Sequence, residues 1–167
     1  MGTEAHKRHA PRHVTAAILI MSTTRALKDD ASGNWIRENL EADGHQVMDH
    51  RVIPDDEKTI AETVKTIVQQ MRPDILLTSG GTGITPGDVT IETIRPMFSK
   101  ELTAFGVLFS HLSMEEIGSA AMMSRATAGV IGSTAVFCLP GSLPACKLAC
   151  SRLIFPELGH IAKHLGD

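Results

Sequence analysis

Asp74-Ile75-Leu76-Leu77-Thr78-Ser79-Gly80-Gly81-Thr82-Gly83 is the stretch on which the reading of this chain turns. Its first half is a short apolar run of the kind found in a strand covered on both faces. Its second half hands that strand directly to three glycines, which let the backbone reach φ > 0 and aim several N–H groups at one anion. Phosphate is the natural guest of such a loop. The segment lacks the G-K-[ST] ending of a P-loop and the G-x-G-x-x-G spacing of a dinucleotide fingerprint, which argues against both classes. Taken alone, a tight structural turn accounts for the glycines as well as anion binding does.

Toward the N-terminus the pattern repeats. Val14 to Met21 is a continuous apolar run and reads as a strand, followed by a polar loop from Ser22 to Arg25. Asp30-Ala31-Ser32-Gly33 offers capping side chains, and Trp35, Ile36, Leu40 and Ala42 recur at helical spacing until Gly44 stops the helix. His45 to Ile53 reads as a second strand, with Pro54-Asp55-Asp56-Glu57 as a cap-rich turn. Ile60, Val64, Ile67, Val68 and Met71 are then the buried stripe of a helix closed by Pro73. Strand and helix alternating in this way predict an α/β domain with a doubly wound, mostly parallel central sheet and helices on both faces.

Toward the C-terminus, Pro86-Gly87-Asp88 is expected to open a helix through Ile91, Ile94 and Met97. That helix would lend its partial positive end to the anion. Phe105 to Ser119 reads as short helices or a lid. Thr127 to Ile131 and Thr134 to Leu139 flank Gly132-Ser133 as a small β-hairpin, and a last helix starts near Ser142-Leu143-Pro144. Residues 1–12 read as a flexible N-terminal tail, its His6 and His9 with His13 too irregularly spaced for a metal site and so solvated, and residues 13–167 as one domain.

Composition narrows the partners. The 167 residues are 43% hydrophobic and 21% charged with a net charge of -3, so nothing draws the chain to nucleic acid or an anionic membrane. Aromatics are 4% with no Tyr, which removes the stacking platforms of single-strand binders. No apolar run reaches a membrane span. Cys138, Cys146 and Cys150 lack C-x-x-C spacing and are read as buried thiols in a reducing, cytoplasmic setting.

Ligands of such sheets gather at the carboxyl ends of the strands, where Ser22 to Arg25, Pro54 to Glu57, Ser79 to Asp88 and Pro140 to Ser142 are expected to converge. Asp88 suits Mg²⁺ beside a phosphate, or an N-cap, and Asp55 and Asp56 carry the same two readings. Arg125 suits a bidentate phosphate clamp or, more commonly, a surface ion pair. His111 with Glu115 or Glu116 reads as a solvated helix face. These readings stop at an α/β domain that binds a phosphorylated small molecule.

Ser79-Gly80-Gly81-Thr82-Gly83 followed by Asp88-Val89-Thr90 resembles the GGTG...D-V-T signature of the MoaB/MogA molybdenum-cofactor biosynthesis family. In order along the chain, Asp30-Ala31-Ser32-Gly33 resembles its D-x-S-G, Pro54-Asp55-Asp56 its V-P-D, Ser124-Arg125-Ala126 its S-R-A and Pro140-Gly141-Ser142 its P-G-S. The likeness runs from about Val14 to Pro156. Ser113-Met114-Glu115-Glu116-Ile117-Gly118 and Ala145-Cys146-Lys147 look more like the MoaB branch.

The resemblance implies a compact α/β fold, a homo-oligomer (trimer or hexamer), and molybdopterin as ligand. In competent members it implies adenylylation of that pterin by Mg-ATP before molybdate insertion. Carried over by position, Asp55 and Asp88 are the functional aspartates and the Mg²⁺ ligands. Gly80, Gly81, Thr82 and Gly83 cradle the pterin phosphate, and Ser32, Ser124, Arg125, Pro140, Gly141 and Ser142 line the pocket. One segment departs: where the family reads G-F-G-E-x-F-R, this chain has Ala104-Phe105-Gly106-Val107-Leu108-Phe109-Ser110, so an acid has become Val107 and a base Ser110. That departure motivates the alternative of a non-catalytic molybdopterin-binding oligomer. A further alternative is related nucleotide pyrophosphate chemistry.

Overall fold

The computed structural model describes residues 13–24 and 26–166, so the expected tail over 1–12 and Arg25 lie outside the described residues. Strands β1 (Thr15–Met21), β2 (Gln46–Ile53) and β3 (Ile75–Ser79) are joined by helices α1 (Ala31–Ala42) and α2 (Glu57–Thr66). Strand β1 pairs in parallel with both β2 and β3, and β3 pairs in parallel with β6 (Thr134–Leu139). The hairpin strand β5 (Thr127–Ile131) runs antiparallel to β6, and a short edge strand β4 (Lys100–Glu101) runs antiparallel to β5. The six strands lie in the order β2-β1-β3-β6-β5-β4, the mostly parallel sheet that the alternation predicts.

Period-two alternation along β1 builds two cores from one strand. Ala16, Ile18 and Ile20 pack on one face with Ile36 and Leu40 of α1 and with Phe137, Cys146 and Ile154. Ala17, Leu19 and Met21 pack on the other with Ile60 and Val64 of α2 and with Ile91 and Ile94 of α3 (Thr90–Ile94). That is why the strand reads as continuously apolar. Asp74 fixes its start by accepting hydrogen bonds from Thr15 N at 2.7 Å and Thr15 Oγ1 at 2.8 Å. Helix α2 widens into a π-type turn over Ile67–Met71, and Arg72, at φ 49, ends it before Pro73.

The second half departs from expectation in three places. Phe105 to Ser119 is neither a run of short helices nor a separate lid: α4 (Thr103–Ile117) is one 15-residue helix, followed by a 3₁₀ turn over Gly118–Met123. Phe105, Phe109 and Ser113 are its buried stripe, while Val107, Leu108, Met114 and Ile117 are exposed. Apolar residues therefore occupy both sides of the helix, and the pattern that would announce it in sequence is erased. The helix after Asp88 starts only at Thr90 and spans five residues. The C-terminal helix is divided into α5 (Leu143–Ala149), a π-type turn over Cys150–Ile154, and α6 (Leu158–Gly166), with Pro156 in the bend between them. Ala42 is exposed and takes no part in the α1 stripe.

Candidate functional site

The strand order places a switch point between β1 and β3, whose chains leave the sheet in opposite directions, and the glycine loop sits at its carboxyl edge. The loop is held from three sides. Gly80 N–H donates to Leu139 O at 3.1 Å, and Ser79 Oγ donates to Pro140 O at 2.9 Å. A Cβ on Gly80, at φ +103, would strike the Met21 carbonyl, and one on Gly141 would lie 3.2 Å from Gly80 Cα. The ends of β1, β3 and β6 thus approach so closely that only glycine fits between them.

Thr90 turns the loop inside out. Its N–H donates to Gly81 O and its hydroxyl to Gly80 O, both at 2.9 Å. In a trans peptide the N–H points opposite to the carbonyl, so the Gly81 and Thr82 N–H groups are turned away from α3. These are the donors that an anion would meet. The expectation that α3 itself lends its N-terminus is corrected: its first N–H is consumed by Gly81 O, and the helix is a single turn and a half.

The three aspartates sort themselves. Asp56 is the N-cap of α2, its Oδ1 accepting from Thr59 N at 2.8 Å, and that bond holds its carboxyl below the ordinary value. Asp55 instead faces the loop: a Cβ on Gly81, at φ +62, would lie 2.7 Å from Asp55 Oδ1. That oxygen is buried and has no hydrogen-bond partner. Burial first, and then the charge of Asp88, push the Asp55 carboxyl above its usual value. Asp88 is not an N-cap. Its Oδ2 accepts from the Thr85 hydroxyl at 2.6 Å and from Thr85 N at 2.8 Å. The Thr85 hydroxyl first, with the backbone and Arg125 behind it, holds the Asp88 carboxyl below the ordinary range.

Gly81, Thr82, Gly83, Asp88, Ser124, Arg125, Pro140, Gly141 and Ser142 line one cavity of about 410 Å³, joined by Ala120 and Met123. An adjoining cavity of about 620 Å³, lined among others by Gly106, Ser110, Met114 and Met122, shares Ser124 and Arg125 with it. Arg125 donates through Nε to Thr82 O at 3.0 Å and pairs through Nη2 with Glu92 at 2.6 Å. Ser142 also caps α5, accepting from Ala145 N at 3.4 Å. Ser32 is buried in the first turn of α1 and is not among the residues lining either cavity. Its neighbour Asp30 caps that helix through Gly33 N at 2.9 Å and pairs with His50 Nε2 at 2.8 Å. His111 and Glu115 stand 3.6 Å apart on an exposed face, as expected.

Sequence reasoning missed Thr85, Glu92 and the turn carrying Ala120 and Met123 as parts of this site. Thr90 stood inside the D-V-T motif but carried no assigned role; a hydroxyl two residues after an aspartate was the available signal. The three cysteines are buried and form no disulfide; burial pushes the Cys138 thiol up to about 12 and the Cys150 thiol well above its ordinary value, which disfavours either as a nucleophile at neutral pH.

An open α/β sheet with a carbonyl-pinned glycine loop and two carboxylates at its switch point defines an α/β protein whose candidate site lies at the carboxyl edge of the sheet. Residues 17–160 match the model of the probable molybdopterin binding domain, and the chain belongs to that family. It is 45% identical to molybdenum cofactor biosynthesis protein B of Bacillus subtilis over 166 residues, 99% of this chain and 98% of that one. The Bacillus cereus protein of the same name is 43% identical over the same span. A crystal structure of a molybdenum cofactor biosynthesis protein B superposes with a TM-score of 0.90 at 43% identity, covering 95% of this chain and 99% of that one. The tungsten cofactor synthesizing protein MoaB of Pyrococcus furiosus superposes at 0.85 with 36% identity, covering 95% and 100%. The fold is therefore the MoaB/MogA molybdopterin-binding fold.

Proposed function

We propose that the protein acts in molybdenum-cofactor biosynthesis by binding molybdopterin and adenylylating it with Mg-ATP. The pterin phosphate rests on the Gly81 and Thr82 N–H groups, with the Ser124 and Ser142 hydroxyls and the Pro140-Gly141 backbone around it. The observation that carries this reading is the buried, unpartnered Asp55 Oδ1 beside the loop, a carboxyl raised first by burial and then by the charge of a second carboxylate, Asp88. Two hard oxygen donors that repel one another, next to a phosphate seat, fit a divalent cation. No cluster of three His, Cys, Asp or Glu side chains suited to a metal occurs among the described residues, but Mg²⁺ commonly takes only one or two carboxylates and completes its shell with water and substrate phosphate.

When bound by Asp55 and Asp88, Mg²⁺ supplies neutralisation of charge on the triphosphate. The loop holds the pterin phosphate so that one of its oxygens attacks the α-phosphorus of ATP, a new phosphoanhydride bond forms, the α–β bond breaks, and pyrophosphate leaves. The protein contributes positioning and electrostatics rather than a covalent intermediate. Buried reduced thiols suit a cytoplasmic enzyme, and the exposed apolar side chains of α4 suit a homo-oligomer of the trimeric or hexameric kind. No helix among the described residues is long and apolar enough to cross a membrane.

A second reading, a non-catalytic molybdopterin-binding oligomer, draws on one observation. Ser110, which stands where the resemblance expects a base, lines the cavity that adjoins the phosphate seat, so a charge is missing beside it. Val107, the lost acid, is 70% exposed and lines neither cavity. Purified protein incubated with molybdopterin and Mg-ATP separates the two. Pyrophosphate and adenylylated pterin that vanish in Asp88→Asn support the enzyme. Pterin binding without product supports the carrier, and absence of pterin binding overturns both.

A further inference from the structure

Resting on the reading of the glycine loop as a phosphate seat, we propose that Glu92, a residue of α3 outside both cavities, is a positioning residue of the site: through Arg125 it fixes the plane of the Thr82–Gly83 peptide, and with it the seat of Asp88.

The contacts form one chain. Glu92 Oε1 lies 2.6 Å from Arg125 Nη2, and Arg125 Nε donates to Thr82 O at 3.0 Å. The carbonyl of this single peptide is therefore held by a cation. Its other edge, Gly83, packs against the Asp88 carboxylate, and a Cβ on Gly83 would sit 2.7 Å from Asp88 Oδ2. A trans peptide presents its oxygen and its N–H on opposite sides, so an arginine on the Thr82 oxygen and a carboxylate packed against Gly83 together select one orientation of the plane. Asp88 is anchored beyond by the Thr85 hydroxyl and N–H. Charge alternates along the whole path: Glu92 negative, Arg125 positive, the peptide dipole, Asp88 negative.

Among the described residues, Arg125 is the only cationic side chain lining either of the two cavities. Its guanidinium has already committed Nε to the backbone and Nη2 to Glu92, so its role as arranged here is to brace the loop rather than to clamp a ligand. Glu92 on α3 and Arg125 on the segment before β5 are both half-exposed, and an arginine side chain loses several rotors when ordered. A charge-assisted bond to a helix-borne carboxylate offsets that loss, because α3 itself is anchored by the buried Ile91 and Ile94. The Glu92 carboxyl lies below its ordinary value, Arg125 being the first cause and the Asp88 charge opposing it, as the alternating arrangement requires.

The test reads the ligand-free protein first. Amide hydrogen exchange at Gly83, followed by NMR, is expected to speed up about tenfold in Glu92→Ala and in Arg125→Ala, with no further gain in the double variant. Glu92→Gln, which keeps the acceptor and loses the charge, falls between. Amides of the sheet interior such as Leu76 and Leu77 stay protected throughout, which separates loosening of one peptide from failure to fold. Unchanged Gly83 exchange in Glu92→Ala overturns the proposal. A second arm uses Mg-ATP and molybdopterin: Glu92→Ala is expected to lower kcat about tenfold while KM for the pterin changes less, since the seat of Asp88 is disturbed more than the Gly81 and Thr82 donors. Tighter pterin binding in Glu92→Ala would mean that Glu92 restrains a ligand-clamping arginine, and would also overturn it. If wild-type protein shows no turnover, the adenylylation reading fails alone, and the Gly83 exchange still decides the role of Glu92.

Discussion

Asp55 and Asp88 are neighbours whose carboxyls are displaced in opposite directions, and stability should report the difference. Burial raises Asp55, so its favourable contribution is present below the ordinary carboxylate range and is lost as pH climbs through the raised folded value. The Thr85 hydroxyl lowers Asp88, so its contribution is present above that range and is lost as pH falls through the lowered folded value. Asp55→Asn is therefore expected to leave the urea midpoint at neutral pH unchanged or higher, and Asp88→Asn to lower it. Both differences should shrink as the pH is taken from about 7 to about 3. Midpoints measured across that range check the sign. A loss of stability at neutral pH in Asp55→Asn would mean that Asp55 has a partner in the fold after all.

Among elements, the glycine loop and the start of α1 are the two places where a single substitution should act beyond its own contacts. Gly81→Ala forces a side chain into the left-handed region, against the Thr90 hydroxyl and 2.7 Å from Asp55 Oδ1. The conformational cost is about 1–2 kcal/mol, and the displaced donors should weaken molybdopterin binding about tenfold or more while far-UV circular dichroism is unchanged. Calorimetric titration with the pterin reads this directly, and retained affinity would remove the cradle from the site. Asp30→Ala deletes a fully buried carboxylate that caps α1 and holds His50, so it should cost about 2–4 kcal/mol in urea unfolding. Asp30→Asn, which keeps an acceptor for Gly33 N, should recover part of that loss.

Whole-molecule behaviour follows from what the sheet hides and what α4 leaves exposed. Cys138, Cys146 and Cys150 are all buried, so an aromatic disulfide reagent should modify them only as fast as the protein unfolds; rapid reaction of the native protein would show an opening that the fold does not contain. Val107 and Met114, seven residues apart on α4, are 70% and 56% exposed. If this face is the one that assembles, Val107→Lys with Met114→Lys should reduce the mass seen by light scattering to that of a single chain, with secondary structure intact. An unchanged mass would place the interface elsewhere.

Much of this architecture is legible in the chain. Continuous apolar runs at Val14 to Met21 and Ile75 to Thr78 announce strands buried on both faces, because a strand flanked by helices on either side has no solvent edge to mark with polar residues. The helix stripes of α1 and α2 are equally plain, since each faces a single core. Helix α4 is not legible as one helix, because Val107, Leu108, Met114 and Ile117 stand on its exposed side among the polar residues and blur the stripe of Phe105, Phe109 and Ser113. The edge strand β4 is too short to carry a period, and α6 is hidden behind the π-type turn and Pro156. At the site, residue types and order named Asp55, Asp88 and the glycines. Only tertiary structure could decide that Asp56 caps a helix while Asp55 turns to the loop, that Asp88 binds Thr85 instead of opening α3, and that Glu92 reaches Arg125 from another element. Propensity and periodicity are local properties written along the chain. The direction in which a carboxylate points, and what lies in front of it, is set by contacts between residues far apart in sequence, and those exist only once the sheet has closed over its two cores.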